Sequence, residues 1–228
     1  MKRCNSILLL VALVLGIALA NTAGAIENPV MDFGSGYAIE GTRMVDDNTS
    51  TANDNLVIVG HVAAFHSPFD DLDANSTTVE YTYVYDQLVS QGTTVLSGVI
   101  FDTNYTGGRL RVFEDAGMDA DFSNPATFSN GTLILQVDLE NFRTHTDSFG
   151  CAGNQNADVT AYSGGSRVDD LAGCTGIITG LFTVCNSYVP DAQEGQGYFG
   201  LSDTKLDADC PVPVEKSTWG EIKSMYQD

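Results

Sequence analysis

Positive charge is scarce in this chain. Ten Lys and Arg stand against 30 Asp and Glu, for a formal charge of −20 at neutral pH. A surface this acidic repels phosphate backbones and anionic headgroups, so nucleic acid is excluded as an expected partner and anionic membranes are disfavoured. Catalytic signatures are also missing. There is no G-x-S-x-G elbow and no H-E-x-x-H pair. Histidine is limited to His61, His66 and His145. His61 lies within an apolar run, and in one strand His61 and His66 would face opposite sides. His145-Thr146-Asp147 could orient an imidazole, but no nucleophile stands beside it. No catalytic residue is assigned. No C-x-x-C pair occurs, which disfavours zinc. After the first 25 residues no apolar run approaches the roughly 20 residues that a membrane-spanning helix needs. No useful helical period precedes residue 217.

What is present begins at the N-terminus. Lys2 and Arg3, the apolar run Ile7 to Ala20 and the small-residue exit Ala23-Gly24-Ala25 have the order of a secretory signal peptide. The reading is therefore residues 1–25 as a removed signal, 26–210 as one β-rich domain, and 211–228 as a proline-containing linker with a short helix. Removing 25 of 228 residues leaves 203, enough for a sizeable core, and shifts the charge to −22. The expected localisation is secreted or extracellular, with the cell surface or periplasm as variants.

Four cysteines survive the signal: Cys151, Cys174, Cys185 and Cys210. An even count in an exported chain suggests two disulfides. The sequence favours Cys151 with Cys174 and Cys185 with Cys210, each pair closing one loop-rich excursion.

The body reads as strands. Leu56 to Phe65 is a continuous apolar run. From Val79 to Val89 the alternation is clear: Val79, Tyr81, Tyr83 and Tyr85 share one face, and Glu80, Thr82 and Asp86 the other. Gln91-Gly92 is expected to turn the chain into a strand over Thr93 to Phe101. Gly107-Gly108 is expected to turn it again. Asn130-Gly131 launches another strand from Thr132 to Phe142. Val159 to Tyr162, Ile177 to Cys185 and Tyr198 to Leu201 read as shorter strands. The fold class is all-β: an antiparallel β-sandwich or partly closed barrel, with a short C-terminal helix. On that helix Trp219, Ile222, Met225 and Tyr226 fall on one face.

Two places could hold a ligand. Asp115, Asp119 and Asp121 crowd one loop, and calcium takes six to eight oxygen ligands from such residues. Calcium is the cofactor considered, although the spacing does not fit an EF-hand. The rival is a solvated acidic turn. The Tyr81, Tyr83 and Tyr85 face could stack on sugar rings, or form the core side of its strand. The functional expectation is a secreted, non-enzymatic extracellular or cell-surface β module with a structural or ligand-binding role, carbohydrate included. The partner is a cell surface, a glycan or a second copy. The alternatives are a polysaccharide hydrolase using paired carboxylates and a structural subunit assembling through its tail.

Overall fold

The computed structural model describes residues 29–211. Its strands are β1 (Pro29–Glu40), β2 (Asn55–Phe65), β3 (Glu80–Leu96), β4 (Ile100–Thr106), β5 (Arg109–Asp115), β6 (Thr132–Asp147), β7 (Gly153–Gly164), β8 (Thr175–Thr183) and β9 (Gly200–Asp209). One helical turn, α1 (Asp191–Glu194), precedes β9. All strand pairs are antiparallel, and β1 bonds to both β2 and β9, so the sheet closes on itself. β4 and β5 share one position. β3 runs against both of them, and so does β6. The result is an eight-position barrel whose order around the ring is the order along the chain. Closure removes the free sheet edges that an open sheet would have to protect.

Alternation decides what lies inside. Phe33, Tyr83, Tyr85, Tyr105 and Phe142 are all buried and point into the barrel. Phe33 meets Tyr83 at 4.9 Å between ring centroids, Tyr85 meets Phe142 at 6.0 Å, and Phe142 meets Tyr105 at 5.6 Å. Leu110, Val112, Leu135, Val137 and Ile178 fill the space around this spine. Gly36 and Gly60 make room for it, since a side chain at either would overlap the Tyr83 ring.

Both mouths are closed. At one, residues 41–54 cross the opening. The Asp46 amide donates to the Val184 carbonyl, and the Ser50 amide to Thr93 Oγ1. Beneath them a buried Arg43 pairs with buried Glu40 at 2.8 Å and stacks over Phe199. Ser50 Oγ donates to the other Glu40 oxygen. At the opposite mouth Phe69 and Leu171 are fully buried, and Arg167 bonds Asp71, Asp170 and the Pro68 carbonyl.

The antiparallel all-β expectation holds, in its barrel form. The four cysteines form two disulfides, but the expected pairing is corrected. Cys151 bonds Cys185, and Cys174 bonds Cys210. Cys151 sits on the β6–β7 turn beside the end of β8, while Cys174 and Cys210 flank the β8–β9 ladder at the other mouth. Ring neighbours, not sequence neighbours, set the partners.

Two turns are also corrected. Gln91-Gly92 does not reverse the chain. It is a bulge within β3, which continues to Leu96 and turns at Ser97–Gly98, where both residues have positive φ. Gly107-Gly108 interrupts one strand position between β4 and β5 without reversal. β1 has no counterpart among the expected strands, and β7 and β9 extend well beyond the segments expected there. The expected C-terminal helix with Trp219, Ile222, Met225 and Tyr226, and the signal segment 1–25, lie outside the described residues.

Candidate metal centre

The two faces of β3 have different fates. Tyr83 and Tyr85 are fully buried, and Tyr81 is 6% exposed at the mouth, where its hydroxyl donates to Glu114 Oε2 at 3.0 Å. Burial, then Glu114, pushes the Tyr81 phenol up to about 12. The Tyr83 hydroxyl donates to the Gly34 carbonyl, and the Tyr85 hydroxyl bonds that of Thr204. The burial of all three rings supports the core reading over a solvent-facing platform.

The outer face carries Glu80, Thr82, Val84 and Asp86. Thr82 and Val84 are covered: the loop after β5 folds back with a 3-10 turn over Pro125–Ser129, and Phe128 packs on them with Phe113, Phe122 and Tyr198. Thr82 Oγ1 donates to the Phe128 carbonyl. This second apolar cluster anchors the acidic loop against the barrel wall.

Anchoring brings carboxylates together. Glu80 is the register partner of Asp115 across the β3–β5 ladder. Asp119 comes from the loop, and one oxygen from each of the three lies within 4.8 Å of the others. Oxygens bound to one calcium at about 2.4 Å can be no more than about 4.8 Å apart, so the spacing fits that ion. The remaining contacts fix the side chains. Glu80 Oε1 accepts from the Ala120 amide, Asp115 Oδ1 from the Gly117 amide, and Asp119 Oδ1 from Asn130 Nδ2. Asp115 Oδ2 is buried and has no hydrogen-bond partner. His61 Nε2 lies 3.3 Å from Glu80 Oε2. The oxygen-dominated set suits a hard cation such as calcium better than zinc.

Of the expected calcium residues the structure unites Asp115 and Asp119 but not Asp121. Asp121 is turned to its own loop, where the Ser123 hydroxyl and amide donate to it and hold its carboxyl below the ordinary value. The third carboxylate is Glu80, which sequence spacing hides because it lies 35 positions before Asp115. The outward-facing position of Glu80 at the start of an alternating strand is the signal that could have found it.

A second polar group lies on β4 and β6. His145 Nδ1 is 2.6 Å from Asp102 Oδ1, and Arg143 bonds the same carboxylate. The carboxylate that orients His145 is thus Asp102, across the ladder. Asp147, its neighbour in sequence, accepts instead from the Phe149 amide. Among the described residues His145 is hydrogen-bonded to Asp102, and no Ser, Thr or Cys hydrogen bond to it occurs.

Comparison with protein-family models, with curated proteins and with solved structures finds no match to this chain. Its two disulfides are consistent with a secreted or extracellular protein. No helix among the described residues is long and apolar enough to cross a membrane.

Proposed function

We propose that this protein is a secreted, non-enzymatic β-barrel module that presents its outer surface to a cell-surface, matrix or carbohydrate ligand. Calcium, held by Glu80, Asp115 and Asp119, steadies the loop that covers one flank. The observation that carries the reading is a barrel filled with aromatic side chains and stapled by a disulfide at each mouth. A barrel that holds a ligand inside keeps a cavity there. This one places Tyr83, Tyr85, Tyr105, Phe33 and Phe142 in that space. Contacts with other molecules are left to the exterior. That exterior carries mid-strand charges such as Asp86 with Arg109, and Asp102 with Arg143, unlike the apolar band of a lipid-facing barrel.

The test is retention on insoluble glycan and cell-wall fractions, with and without calcium, together with analysis for released sugars. Saturable retention without product supports the module. Release of soluble sugar that is lost on Glu80→Gln or Asp115→Asn, with folding intact, would replace it by a carboxylate hydrolase.

A further inference from the structure

A groove lies beside the barrel mouth that Leu171 helps to close. A cavity of about 340 Å³ lies between the end of β7 and the segment that leads into β8, with Thr160, Tyr162, Asp169, Leu171, Ala172 and Cys174 in a lining more polar than apolar. It exists because two strands part. β7 pairs with β8 only as far as Val159 opposite Gly176. Against β6 it continues to Gly164 opposite Gln136. From Thr160 to Gly164 the β8 side of β7 therefore has no strand beside it, and the groove lies along that edge. The Tyr162 hydroxyl on this stretch is buried and has no hydrogen-bond partner.

The chain leaves the barrel at the rim of this groove. Cys210 is bonded to Cys174 in the groove wall. Pro211 Cγ lies 3.7 Å from the point where a Cβ on Gly173, also in the lining, would sit. Seventeen residues, 212–228, follow. Trp219 is eight residues beyond Pro211, so it can reach any point within about 26 Å of the exit.

We propose that the chain's own C-terminal segment occupies this groove, with Val212 and Val214 laid along the open edge of β7 and Trp219 as the anchoring side chain. An unpaired strand edge accepts an extended segment through backbone hydrogen bonds, and side-chain pockets set which segment fits. Proline fixes its own φ and disfavours helical geometry in the residue before it, so the sequence Pro211-Val212-Pro213 suits an extended contact, and Val212 and Val214 have amides to donate. A helix as short as the one the sequence predicts after Thr218 is marginal alone, so it gains from docking. Tethering at Cys210 makes the contact intramolecular, so a modest contact suffices.

The experiment uses the full chain, because Trp219 is its one tryptophan and its emission reports on this segment alone. The expected result is an emission blue-shifted from that of the urea-unfolded protein, with acrylamide quenching several-fold slower. Ala172→Glu, a change at an exposed position in the lining, moves both toward the unfolded values while the circular dichroism of the barrel stays unchanged. If that variant does not fold, Thr160→Arg on the open edge serves the same purpose. Native quenching as fast as in the unfolded chain overturns the proposal and leaves the segment free to act as an address or to meet a partner. A protected Trp219 that ignores the groove substitutions overturns it too, as does protection that grows with protein concentration, the mark of a second copy.

Discussion

Glu80 and Asp115 face each other directly across the β3–β5 ladder, two carboxylates at a position where opposite charges are the stabilising choice. Asp119 closes on the same point, so the repulsion has a third source. A divalent cation converts this repulsion into attraction. Calcium is therefore expected to raise the melting temperature of the wild-type protein in a saturable way. Asp115→Asn should remove that response. Without calcium the same change should stabilise the protein by up to about 1 kcal/mol, the usual size of a cross-strand charge effect. Scanning calorimetry with and without calcium checks both. An undiminished calcium response in the variant would remove Asp115 from the site.

Each disulfide closes a loop of similar length, 34 and 36 residues of separation. On chain-entropy grounds each should contribute about 3 to 4 kcal/mol. Replacing Cys151 with Cys185, or Cys174 with Cys210, by serine pairs is expected to lower urea-unfolding stability by that amount. Peptide mapping of the unreduced protein checks the pairing: a Cys151–Cys174 peptide would contradict the barrel order that places Cys151 near the end of β8.

That pairing shows where the sequence stops being informative. β3 was legible because Tyr81, Tyr83 and Tyr85 alternate with polar residues over a barrel wall wet on one side. β1 was not. Its pattern is broken by Gly34 and Gly36 and by register shifts on either side of Phe33, which bend the strand so that Tyr83 can pack against it. β7 and β9 hid for a different reason. Gln155, Ser202 and Thr204 point into the barrel, where they bond one another or Tyr85. An interior that accepts polar residues in pairs erases the apolar half of the alternation. Sequence alone cannot show that Gln155 and Ser202 will meet. The acidic loop was legible as a cluster. Which of its carboxylates converge depends on Phe122 and Phe128 packing on the wall, a tertiary fact.

Arg43 and Glu40 are a buried pair with side chains 3% and 0% exposed. Taking away one partner leaves a charge with no water and no counter-ion. Arg43→Met should cost about 3 to 5 kcal/mol, whereas joining it with Glu40→Leu should recover a large part of the loss, since an apolar replacement of a whole pair is often near neutral. Urea unfolding of the two single variants and the double variant gives the coupling. Strictly additive losses would mean that Ser50 and the Asp47 carbonyl, the other partners of these two side chains, carry the stability instead.

Asp102 sets part of the acid limit. Burial alone would raise its carboxyl pKa, but hydrogen bonds from Arg143 and His145 outweigh burial and hold it below the ordinary value. Its folded pKa thus lies below the unfolded one. The stability it contributes is complete above the unfolded carboxylate value near 4 and is lost as pH falls through the folded value. The same sign applies to Asp71, held down by Arg167. Asp102→Asn is expected to flatten the fall of unfolding free energy between about pH 4 and pH 2. An identical acid profile in the variant would place the proton uptake elsewhere.

The alkaline limit comes from the tyrosines, with the opposite sign. Burial pushes the Tyr162 and Tyr198 phenols up to about 12, and burial with Glu114 does the same for Tyr81. Tyr83, Tyr85 and Tyr105 are raised as well, again chiefly by burial. A folded pKa above the unfolded value means that the neutral phenol is the form the fold favours. The stability is complete below the unfolded value near 10 and is lost as pH rises through the folded values. Phenolate absorbance of the native protein should therefore rise in at least two stages, with a large late stage near or above pH 12 that coincides with loss of circular dichroism. The urea-unfolded chain should titrate in one stage near 10. A native titration that finishes in a single stage near 10, with the fold intact, would mean that these rings are in water and that the filled barrel is wrong.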